Sequence, residues 1–260
     1  MNNTHIIALI LTLSVFQIHA IPHLTPDQAR ELGHKIWRNE CGLSVDKLVW
    51  WNTGEKFASL GIGHFIWFPK NCTEPFSETF PALLTFMRTH GVTLPAWLTE
   101  TTHCPWNTRE EWLHAHADPR ITELRTLLHN TIDIQTQFMI RQFDATRTAI
   151  IQAAAPAQRR TLERHFKRLE QTPQGLYALI DYTNFKGTGI NERERYNNQG
   201  WGLLHVLSTM RESQARNDAV TEFAHAAQHL LTQRVHNAPP ERNEQRWLPG
   251  WCNRLKTYVS

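Results

Sequence analysis

Two glutamates and a histidine stand close together in the stretch NECGLSVDKLVWWNTGEKFASLGIGHF, which runs from Asn39 to Phe65. Carboxyl groups in unlike surroundings can divide the work of an acid–base reaction, because a desolvated one keeps its proton and a solvated one stays charged. Glu40 fits the first role. It continues the helical spacing of Ala29, Leu32 and Ile36, so it falls on an inward stripe at the last turn of a helix. An acid on that stripe suits a general acid that protonates a glycosidic oxygen. Glu55, beside the turn residues Asn52-Thr53-Gly54, fits the second role. The competing reading of Glu40 is a carboxylate that pairs with a distant arginine and staples two helices. His64 sits between glycine and phenylalanine, after Gly61-Ile62-Gly63, where glycines permit a tight bend.

Elements on both sides must hold these groups. Thr25-Pro26-Asp27 supplies a cap, a first-turn proline and an early acid, so a helix starts there. Leu48 to Trp51 and Lys56 to His64 are β-favouring runs around an Asn/Gly turn, which predicts a hairpin or a small three-stranded wing. From Phe80 onward the pattern is helical, with turns at Gly91, Pro95, Pro105 and Pro119. Ile121, Leu124, Leu127, Leu128, Ile134, Phe138 and Phe143 give the segment Arg120–Ala154 a strong helical period. Pro156 breaks it, and Leu162, Phe166 and Leu169 resume it. Further helices are expected at Leu176–Tyr182, Gly202–Met210 and Val220–Val235, with a last short helix after Trp251. The fold class is therefore mainly α (α+β), one helical domain with a small β-hairpin wing near its start.

The apolar run Ile6–Phe16 and the small-residue site Ile18-His19-Ala20 read as a signal peptide over 1–20, leaving 21–260 as a single exported domain. Four cysteines, Cys41, Cys72, Cys104 and Cys252, favour two disulfides in such a chain, with the pairing open. A net charge of +3 without a basic block argues against a nucleic-acid or membrane-surface partner. Trp50, Trp51, Trp67, Trp201, Trp247 and Trp251 lie near turn signals, where indole faces could stack on sugar rings, or else they fill an aromatic core. His114 and His116 are two apart and point to different sides of a helix, and His103-Cys104 lacks partners, so no metal site is expected. No cofactor-binding string is present.

Ser59-Leu60-Gly61-Ile62-Gly63-His64 resembles the TIGxGH motif of phage-type lysozymes, which follows a catalytic glutamate at a helix end and belongs to a β wing. Asn39-Glu40-Cys41 is similar to the glutamate–serine pair of goose-type lysozymes and soluble lytic transglycosylases, with Cys41 in the serine's place. Together with WNTGEKFASLGIGHFIW, the stretch looks like a bacterial branch of the lysozyme superfamily that includes deacetylation-specific lysozymes. The specific resemblance covers roughly Ile36 to Phe68, and DYTNFKGTG and RYNNQGWGLLHVL carry looser likeness. It implies a lysozyme-like fold, Glu40 as general acid, Ser59 near the attacked face of the sugar, and His64 as a structural hydrogen-bonding residue. Phage enzymes carry an aspartate in the first hairpin, and here that neighbourhood holds Asn52, Thr53 and Glu55. Either Glu55 substitutes, or one carboxyl suffices, as in lytic transglycosylases.

Asp181-Tyr182-Thr183-Asn184 forms a second candidate wall, read as a helix end whose side chains hydrogen-bond sugar hydroxyls or N-acetyl groups. The resemblance further implies that Glu55 or Asp181 pairs with the free amine of a deacetylated glucosamine. The expected protein is thus a periplasmic or secreted, monomeric muramidase acting on peptidoglycan glycan strands, with Glu40, Glu55 and Ser59 catalytic. Asn52, His64, Asp181, Tyr182 and Asn184 are its expected substrate contacts, and no cofactor or metal is called for. The alternatives are a lytic transglycosylase releasing anhydro-muropeptides and a non-catalytic wall-binding protein on the same scaffold.

Overall fold

A mainly helical chain carries one small antiparallel sheet near its start. The computed structural model describes residues 24–74, 76–192, 194–211 and 219–260, so the expected leader lies outside the described residues. Helix α1 (Pro26–Cys41) leads into β1 (Val49–Trp50), β2 (Ala58–Leu60) and β3 (Phe65–Trp67). The body follows as α2 (Phe80–Thr89), α3 (Ala96–Glu100), α4 (Arg109–His114), α5 (Pro119–Asn130), α6 (Ile132–Ala153), α7 (Pro156–Glu170) and α8 (Pro173–Lys186). A ribbon of β4 (Arg195–Tyr196) and β5 (Gln199–Gly200) precedes α9 (Leu203–Thr209), α10 (Ala219–Asn237) and α11 (Leu248–Lys256). Among the described residues no helix is long and apolar enough to cross a membrane.

Helix α1 forms as its sequence dictates. The Thr25 hydroxyl accepts from Gln28 N while the Gln28 side chain accepts from Thr25 N, a reciprocal capping box that satisfies two otherwise orphaned amides. Ala29, Leu32 and Ile36 are buried as the stripe predicts. At Gly33 a Cβ would lie 2.3 Å from Thr136 Oγ1, so α1 crosses α6 in close contact at a residue without a side chain. That crossing sets where the end of α1, and Glu40 with it, arrives.

The expected wing is a three-stranded meander, with Trp50 opposite Ser59 and Ser59 opposite Ile66. Its turn from Gly61 to His64 is pinned to the helical body by Gln135, which is fully buried on α6. Gln135 Oε1 accepts from Ile62 N at 3.0 Å, and Nε2 donates to Leu128 O at 2.6 Å. Gly61 has φ +69, and a Cβ there would meet Gln135 Oε1 at 2.2 Å. Gly61→Ala therefore combines left-handed strain with displacement of a buried, bonded amide. The expected loss is about 2–4 kcal/mol, checked by urea unfolding. The outer edge of β3 is also closed: Ile66 N donates to Thr79 Oγ1, Phe68 N to Glu78 Oε1, and Cys104 N to Phe68 O.

Two expectations need correction, and one open choice divides. Helix α8 does not end at Tyr182 but runs to Lys186, where Gly187 stops it, and the Thr183 hydroxyl returns a bond to Leu179 O inside the helix. The tryptophans divide: Trp51, Trp67 and Trp201 are buried in the core, Trp50 and Trp247 are exposed, and Trp251 is half-buried. All four cysteines are free thiols rather than disulfides. Cys41 Sγ faces Lys47 O and His64, Cys72 Sγ donates to Lys56 O, and burial pushes the Cys104 thiol up to about 12.

Candidate functional site

Glu40 lies at the end of α1 with its side chain mostly covered, and it is not alone there. Its Oε1 accepts a hydrogen bond from Arg254 Nη2, which comes from α11. Its Oε2 faces the His64 imidazole, with Nδ1 3.8 Å away. The expected unpartnered inward acid is thus corrected to an ion-paired one, and the arginine staple is present.

Arg254 belongs first to Asp181. The guanidinium binds that carboxylate through Nε at 2.8 Å and Nη2 at 2.9 Å. Tyr258 OH donates to Asp181 Oδ2 at 2.6 Å and Asn39 Nδ2 to Oδ1 at 3.2 Å, so a carboxylate with 0% exposure has a full set of donors. Burial opposes charge on Arg254, yet the hydrogen bond and charge of Asp181, joined by Glu40, hold its proton above the ordinary arginine range. Burial, with the Asp181 charge adding to it, pushes the Tyr177 phenol up to about 12. Tyr177 OH accepts from Asn39 Nδ2 at 2.6 Å and meets Thr257 Oγ1 at 2.7 Å. This network locks α1, α8 and α11 together. Asp181 is therefore a buried clamp, not a substrate contact or a partner for a sugar amine. Tyr182 is also inaccessible, and its OH donates to Trp201 O at 2.7 Å.

A groove of about 250 Å³ opens between β3, α6 and α8; His64 lines it, and Glu40, which faces His64, does not. The wing contributes Gly63 and His64, and the segment before α2 contributes Ser77 and Thr79. Gln142 and Thr146 project from α6, and Thr183 and Asn184 from α8. Every polar group here is a hydroxyl, an amide or an imidazole. Such a lining suits a hydroxyl-rich ligand. His64 is half-exposed rather than buried, and its φ of +48 is a conformation that non-glycine residues seldom adopt. The turn that Gln135 anchors holds it there, aiming the ring between the groove and Glu40.

The remaining expected site residues gather elsewhere in the wing. Asn52 Nδ2 donates to Glu55 Oε2 at 3.0 Å, and Ser59 Oγ donates to the same oxygen at 3.3 Å. Trp51 Nε1 closes the turn on Glu55 O at 2.8 Å. Ser59 is buried, and none of Asn52, Glu55 and Ser59 lines the groove. His64 and Asn184 line the groove, Glu40 faces His64 without lining it, and Glu55 stays bonded within its own hairpin.

His64 Nε2 also lies 3.7 Å from Cys41 Sγ. Thiol, imidazole and carboxylate then stand in the order of a thiol hydrolase. Burial defeats that chemistry: Cys41 is 1% exposed, and burial with the Glu40 charge pushes its thiol up to about 11. No group of three or more His, Cys, Asp or Glu side chains among the described residues is placed to hold a metal. A second hollow of about 490 Å³ lies between the Val92–Pro95 loop and α5, with Glu123 as its one carboxylate, already accepting from Trp97 Nε1.

Sequence reasoning missed a cluster at the end of α8. Lys186 Nζ stands 4.1 Å from the Phe185 ring centroid and 3.4 Å from that of Trp251. Burial pushes this amine down to about 7, with Arg234 adding to the shift and Glu244 opposing it, while the ring faces favour the ammonium. Between about 7 and the ordinary 10.5, the unfolded chain keeps a proton that the folded chain releases. Folding stability therefore gains from this site as pH rises through that window. Denaturant titrations across it are expected to show a flatter profile for Lys186→Met than for the wild type.

No family model, curated protein or solved structure matches this chain.

Proposed function

We propose that the protein cleaves the glycan strands of peptidoglycan, as an exported muramidase in which a lysozyme-like helix, wing and helical body hold Glu40 beside the sugar. One observation carries this reading: the Glu40 carboxylate turns one oxygen toward His64, and His64 lines a groove whose other polar side chains are hydroxyls and amides. In this reading Glu40 gives its proton to the glycosidic oxygen as the bond to the anomeric carbon breaks.

With Glu55 bound by Asn52 and Ser59, Glu40 acts in this reading without a second catalytic carboxyl. That favours, as a second outcome, the lytic transglycosylase chemistry in which a sugar hydroxyl closes on the anomeric carbon and no water is consumed. The Arg254 bond to Glu40 favours a non-catalytic wall-binding protein instead.

The purified chain, incubated with acetylated and with deacetylated sacculi, separates these readings through mass spectrometry of the soluble products. Reducing-end muropeptides mark hydrolysis, and anhydro-muropeptides, lighter by one water, mark transglycosylation. Absence of release from both substrates overturns cleavage, and comparison of the two reads the acetyl preference.

A further inference from the structure

We propose that the hollow between the 92–95 loop and α5 binds a small amphipathic amine, its apolar body seated in the hollow and its ammonium on Glu123. The inference stands apart from the glycan-cleaving reading and concerns a surface that reading does not use. At about 490 Å³ the hollow lies within the usual range of small-molecule sites. Val92 and Pro95 from the loop and Leu127 from α5 give it an apolar wall, so covering a hydrocarbon body there is favourable.

One group sets the charge of the ligand. Glu123 is the only charged side chain in the lining. Its Oε2 accepts from Trp97 Nε1 at 2.8 Å, and its Oε1 has no hydrogen bond or ion pair among the described residues. The indole is itself held, because Trp97 packs against Trp67 and Trp106 with centroids 6.2 and 6.3 Å away. A neutral donor on a held ring thus orients the carboxylate without cancelling its charge. Arg120, three residues earlier on α5, does not cancel it either, since its guanidinium is engaged by Asp118 through Nε and Nη2. The hydroxyls of Thr122 and Thr126, one helical turn apart in the same lining, supply acceptors for the remaining N–H groups of an ammonium. An anion would meet the Glu123 charge, and an uncharged ligand would leave that oxygen to water.

The test is a calorimetric titration of the purified chain with phenethylamine and with phenethyl alcohol, which share a body and differ in charge. Glu123 is exposed, so the charge is worth a small factor: wild type is expected to bind the amine about fivefold more tightly than the alcohol. The margin should shrink in high salt. Glu123→Gln keeps an oxygen for Trp97 and removes the charge, so it should erase the preference and leave the affinity for the alcohol unchanged. Thr126→Trp, at an exposed helical position, should weaken both ligands by filling the hollow. Binding of neither probe, equal affinities in wild type, or a preference retained by Glu123→Gln would each overturn the site, as would unchanged affinities in Thr126→Trp. Neither probe is a glycan, so the result is read independently of release from sacculi.

Discussion

Glu40→Gln is expected to slow muropeptide release from sacculi by roughly a hundredfold or more, the range lost when a general acid is removed. The substitution preserves shape and leaves an oxygen to accept from Arg254, but it removes the transferable proton. Because Arg254 keeps both of its bonds to Asp181, the thermal midpoint should fall only modestly. Release and melting together make the result decisive. Slow release with an intact fold places Glu40 in the reaction, whereas unchanged release reduces it to the staple between α1 and α11.

The second large effect is on stability. Arg254→Met leaves Asp181 buried with Tyr258 and Asn39 as donors but without a counter-charge, and it frees Glu40 as well. Removing one member of a buried pair costs about 3–5 kcal/mol, so the urea midpoint should drop sharply. Asp181→Asn added to Arg254→Met should recover much of that loss, because the uncompensated charge is then gone. A cost that simply adds between the two substitutions would mean that the pair is not the structural unit described above.

Local features were readable in advance. The Thr25-Pro26 start of α1, its Ala29–Leu32–Ile36 stripe, the three-stranded wing and the break at Pro156 all follow from spacing and turn chemistry over a few residues. Partners far apart in the chain were not. Arg254 lies 214 positions from Glu40, and no periodicity in α1 or α11 connects them. The end of α8 was misplaced because Tyr182-Thr183-Asn184 and the following glycines read locally as a stop. The helix instead runs on to Lys186, with Asp181 fully buried within it. For the tryptophans the sequence left stacking and core packing both open, since proximity to a turn says little about which way a large ring points.

Gln135 holds the wing at its turn, and Thr79 and Glu78 hold its outer strand. A flap fastened along two sides has no hinge, so the socket beside His64 exists before any ligand arrives. In the proposed reading recognition works by preformed shape, and rapid-mixing traces are expected to show a single concentration-dependent association step with no slower closing phase behind it.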